Sequence, residues 1–82
     1  SLNMRLSKNK AKAIAEGYFD LYLENYPKLN SLITKSESSK KTREKLLMYF
    51  IGVVIFHYET NPQIPVKVAI LNDLNKFEKS FK

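Results

Sequence analysis

The feature that most constrains this chain is a stretch of eleven residues without a charge, Leu46-Leu47-Met48-Tyr49-Phe50-Ile51-Gly52-Val53-Val54-Ile55-Phe56, set in only 82 residues. A helix needs about 20 apolar residues to cross a bilayer, so this one is too short and reads as core. It is apolar on nearly every face, so it has to be surrounded by the rest of the chain. The β-branched residues Ile51, Val53, Val54 and Ile55 leave a strand reading open. The length of the block and its join to the charged Arg43-Glu44-Lys45 favour a helix from about Thr42 to Tyr58. Thr42 offers an N-cap, with Glu44 in the first turn to suit the positive helix end. Gly52 costs about 1 kcal/mol relative to Ala in mid-helix, and reads as a point where another helix comes close.

What covers this element must come from the flanks. Upstream, Ala11, Ile14, Ala15, Tyr18, Leu21, Tyr22, Tyr26, Leu29, Leu32 and Ile33 recur at steps of three and four, the period of a helix face. Ser7 is the expected N-cap. Pro27 interrupts the stripe by removing a donor and crowding the carbonyl four residues back. Either the helix kinks there, or it stops near Asn25 and a new one starts with Pro27 in its first turn. The unbroken stripe favours the kink. Residues 35–41, Lys-Ser-Glu-Ser-Ser-Lys-Lys, have no periodicity and read as a loop. Downstream, Thr60 to Pro65 sets a turn. Val66, Ile70, Leu74, Phe77 and Phe81 then define an amphipathic last helix, with Asn72, Asp73, Asn75, Lys76, Glu78 and Lys79 largely outward. The expected fold is all-α: a small helical bundle forming a single domain over residues 1–82, with a flexible N-terminus at 1–6.

With three or four helices in all, Leu46, Phe50, Val54 and Phe56 cannot all be hidden within one chain. Self-association, or docking onto a partner, is therefore expected. The absence of cysteine removes disulfides, thiolate metal sites and a cysteine nucleophile. Residues Ser1 to Arg5 lack the apolar region of a signal peptide, so a cytoplasmic location without a membrane span is the expectation.

No catalytic constellation emerges. His57 is the only histidine and stands at the end of the apolar block, where a helix C-terminal dipole suits it. Glu16 and Asp20 share a face with Lys12 and read as a solvated ladder. No glycine-rich phosphate loop is present. Catalytic residues, metals and cofactors are accordingly expected to be absent, and the protein reads as a non-enzyme.

The net charge of +6 favours polyanionic partners. Arg5, Lys8, Lys10 and Lys12 precede and open the first helix, while Lys40, Lys41, Arg43 and Lys45 precede and open the next long one. Cations at helix N-termini oppose the macrodipole, so local stability does not explain them. Together they make a candidate phosphate-tracking surface, with ordinary solubilising charge as the alternative. Tyr18, Tyr22 and Tyr26 read as core and rim rather than as a base-stacking platform.

The segment Ile64-Pro65-Val66-Lys67-Val68-Ala69-Ile70, preceded by the buried helix and followed by Lys79-Ser80-Phe81, resembles the C-terminal half of the NusB family of transcription antitermination factors. Upstream, Tyr18 to Ile33 is similar to that family's preceding long helix. The resemblance spans about 65 of the 82 residues and is strongest over the last 40. Leu71-Asn72-Asp73 departs from the family's Asn-Glu, and the helix that follows the Lys-x-Phe end in the family has no counterpart, so the chain looks like a truncated or divergent member. The resemblance implies a NusB-like helical bundle acting as a non-enzymatic RNA-binding adaptor in transcription antitermination or ribosomal RNA synthesis. Its implied partners are a single-stranded, boxA-like RNA and the small ribosomal protein that accompanies NusB. The alternatives are a small helical protein–protein interaction module that pairs with another copy, as a homo-oligomer, or with a partner helix, and a bacteriocin-immunity-like helical bundle.

Overall fold

The computed structural model describes residues 6–34 and 38–80, and among them every regular element is helical. The elements are α1 (Lys8–Tyr22), a 3₁₀ turn (Leu23–Asn25), α2 (Pro27–Thr34), α3 (Ser38–Thr60) and α4 (Val66–Ser80). The apolar block lies within α3, which packs against α1, α2 and α4 in turn. The strand reading of Ile51 to Ile55 is thereby excluded.

Ser7 caps α1 as the sequence indicates, its hydroxyl accepting from the Lys10 N–H at 3.2 Å. At Pro27 the chain breaks instead of kinking. A residue before proline is sterically driven out of the α region, and Tyr26 sits at φ −127°, ψ 73°. A 3₁₀ turn closes the first helix, and Pro27 then opens α2, where a missing N–H costs nothing. The stripe is kept only in part: Ala11, Ala15, Tyr26, Leu29 and Ile33 are buried, Leu21 and Leu32 are exposed, and Phe19 and Leu23, which lie outside it, reach the core.

The expected loop at 35–41 also needs correction. Helix α3 begins at Ser38, so Thr42 lies inside it rather than at its N-cap, and no acidic residue occupies its first turn. Lysine and arginine propagate helix well, and Arg43 is held against α1, which keeps this segment wound. Residues 35–37 and 1–5, the rest of that loop and most of the expected flexible N-terminus, fall outside the described residues. Leu6 packs against the core.

The core is a line of side chains along α3. Phe50 is fully buried and meets Phe19 of α1 edge-on at 5.2 Å between centroids and Phe77 of α4 at 6.0 Å. Ala11, Ala15, Leu47, Val54, Ile70 and Leu74 complete it above and below. The molecule measures 45 × 22 × 18 Å, with a radius of gyration of 13.2 Å against about 12 Å for a compact chain of this length. So slender a bundle covers α3 on only part of its circumference.

Glu78 departs from its expected outward position. Its two carboxylate oxygens accept from the backbone N–H groups of Lys28 at 3.2 Å and Leu29 at 3.1 Å. Because Pro27 has no N–H, these are the first two free donors of α2. One side chain from α4 satisfies both and sets a negative charge at a positive helix end. Gly52, expected to admit a neighbouring helix, has nothing within 4 Å of where its Cβ would stand, and neither does Gly17.

Two stability outcomes follow. Glu78→Ala removes the cap and lowers stability by about 1 kcal/mol. Gly17→Ala fills open space on an exposed helix face and raises it by about 1 kcal/mol. Thermal melts read both, with shifts of about 4–8 °C per kcal/mol for a domain this size.

Candidate nucleic-acid interface

The basic residues fall into two groups that do not meet. Helices α1 and α3 run antiparallel: Asp20 near the end of α1 contacts Arg43 near the start of α3 at 3.4 Å. At the other end, Ala13 and Ile14 share a groove with Tyr58 and Val66. Lys8, Lys10 and Lys12 therefore stand beside the C-terminal end of α3, while Lys40, Lys41 and Lys45 stand at its beginning. Fifteen helical residues separate Arg43 from Tyr58, about 22 Å. The single surface expected from the sequence is thus divided, with the carboxylates of Glu16 and Asp20 along the α1 edge between its halves.

The eight candidates also differ in what occupies them. Lys8, Lys10, Lys12, Lys40, Lys41 and Lys45 are exposed, and none of them holds a carboxylate among the described residues. Arg43 is half-buried. Its guanidinium donates to Asp20 Oδ1 and lies 5.7 Å from the centroid of the Phe19 ring. It pins α3 to α1 rather than waiting for a ligand. Arg5 lies outside the described residues.

The tyrosines follow the core-and-rim reading. Tyr26 is buried, whereas Tyr18 and Tyr22 stack 5.7 Å apart at 9° on the α1 rim. His57 is buried, and its Nε2 donates to the Ile64 carbonyl oxygen at 2.5 Å. Since that oxygen only accepts, the proton is on Nε2. The ring thereby fastens the α3–α4 turn to the last turn of α3. Among the described residues no group of three or more His, Cys, Asp or Glu is placed to hold a metal ion, and no helix is long and apolar enough to cross a membrane.

A second surface is apolar. Met48 and Phe56 on α3 are each 65% exposed and Tyr49 is 49% exposed, beside a groove of about 660 Å³ between α3 and α4. Of the four α3 residues expected to compete for cover, Phe50 and Val54 are fully buried, Leu46 is partly so, and Phe56 is left out. The apolar block alone does not rank them; which face stays bare depends on where α1, α2 and α4 pack.

No family model, curated protein or solved structure matches this chain.

Arg43 and its lysine neighbours are expected to separate on substitution. Arg43→Ala removes an ion pair, a ring contact and half-buried packing, and should cost about 1 kcal/mol. Lys40→Ala and Lys41→Ala should stay within about 0.5 kcal/mol of the parent. Urea titrations of the three variants measure the difference.

Proposed function

We propose that this protein is a non-enzymatic adaptor that binds single-stranded RNA in the manner of NusB. The observation that carries the reading is the set of exposed lysines without a carboxylate partner among the described residues, Lys40, Lys41 and Lys45 foremost. These three lie within six residues at the start of a 23-residue helix. There the positive end of the macrodipole adds to their charge. Packing that places like charges where they repel is uneconomical for stability alone, and a phosphate backbone would relieve it. Lys8, Lys10 and Lys12 form a second anchor toward the other end of α3, so an extended strand is needed to engage both. The residues resembling the NusB signature, Ile64 to Ile70, support the same reading, with a boxA-like RNA and a small ribosomal protein as partners.

A second reading, a helical protein–protein interaction module, is favoured by the exposed Met48–Phe56 face.

Binding to a single-stranded RNA should fall steeply with salt, each phosphate contact adding roughly 0.7 to the log–log slope. Charge reversal of Lys40 with Lys41 is expected to weaken binding to all sequences alike, because phosphate contacts position without specifying. Reversal of Lys8 with Lys10 should act similarly, and reversal of Lys76 with Lys79 should do less. Failure of the parent to bind at low salt, or variants that all bind as the parent does, would remove the RNA reading.

A further inference from the structure

The uncovered face of α3 has an internal symmetry that identifies what covers it. Lys45, Met48, Gly52, Phe56 and Glu59 are all exposed. Their spacing is three, four, four, three, so they form one seam along the helix and read the same in both directions about Gly52. An antiparallel helix of identical sequence crossing at Gly52 sets each residue opposite its mirror position. Met48 then faces the partner's Phe56, and Phe56 faces the partner's Met48, a thioether against a ring. Lys45 meets the partner's Glu59, and Glu59 the partner's Lys45. At the crossing itself stand two glycines, and beyond its own stretch of α3 no described atom of the protomer comes within 4 Å of the place a Cβ would occupy.

We infer that this face is the interface of a two-fold symmetric dimer, with a second copy of the chain as its occupant. The seam is complementary to itself in charge as well as in shape, which is what an isologous interface requires. It also accounts for Gly52: a residue that weakens α3 without serving any contact inside the protomer allows two α3 backbones to approach. Met48, Tyr49 and Phe56 from two copies, with the alkyl stems of Lys45 and Lys76, offer on the order of 1,000 Å². That is the small end of specific interfaces, and a reversible dimer in the micromolar range is expected. Lys45 belongs to both proposed surfaces, and Lys41 lies one turn before it on the same face. Lys8 and Lys10 stand on α1 away from the seam, so reversing that pair tests RNA binding without touching the dimer.

Sedimentation of the full chain across the micromolar range tests it. The parent should pass reversibly from monomer to dimer. Phe56→Asp, at an exposed position where circular dichroism should stay helical, should remain monomeric. Lys45→Glu and Glu59→Lys each create two like-charge pairs across the axis and should weaken the dimer about fivefold or more. An equimolar mixture of those two variants re-forms both opposite pairs in a heterodimer and should recover the parent's association. A parent that stays monomeric overturns the inference. So does a dimer that survives Phe56→Asp, or a mixture that associates no better than its components.

Discussion

The contact on which this structure depends is the aromatic line from Phe19 through Phe50 to Phe77. Phe50 is fully enclosed, and besides its α3 neighbour Tyr49 it meets edge-on partners from α1 and α4. Three helices distant in sequence are thereby held at one level, and each such pair adds about 0.5–1.5 kcal/mol beyond the area it buries. In a bundle only 18 Å across its thinnest dimension there is no second layer to share that task. Of the other core residues, Leu47 and Val54 of α3 and Ile70 and Leu74 of α4 extend the same line above and below it.

Polar groups set the angles that the apolar line leaves free. The Glu78 carboxylate fixes the start of α2 against α4, and the His57 imidazole fixes the turn that delivers α4. Arg43 does the same for α1 and α3 through Asp20 and the Phe19 ring. Each joins a helix end to another element, where unpaired donors and acceptors concentrate. Together they bring Phe77 to Phe50 and leave the opposite side of α3 bare.

That division of labour bears on the charge pattern. Cationic side chains at the start of α3 look alike in sequence, yet Arg43 is committed to packing while Lys40, Lys41 and Lys45 are exposed. The planar guanidinium can stack on a ring and pair with a carboxylate at once, which an ammonium does less well. The antiparallel run of α1 and α3 then sends the two basic groups to opposite ends. The seam at Gly52 lies on α3 between those ends, beside the groove toward α4.

By itself the sequence determined the all-helical class, the Ser7 cap, the central place of α3 and the amphipathic face of α4. These rest on period and capping chemistry, which are local properties of the chain. It also established that part of the apolar block must remain uncovered, because too few helices exist to hide it. The break at Pro27 was legible as one of two outcomes. The backbone restriction on Tyr26 decided it, while an unbroken apolar period pointed the other way. Only the tertiary structure decided that Glu78 turns inward, since its partners lie 49 and 50 residues away. Only it decided that the basic groups stand apart, because helix direction is invisible to composition. And only it decided that Met48 and Phe56 are the residues left outside. Within a helix apolar on every face, the choice belongs to whichever neighbours arrive, and Phe19 and Phe77 had already taken the side of Phe50.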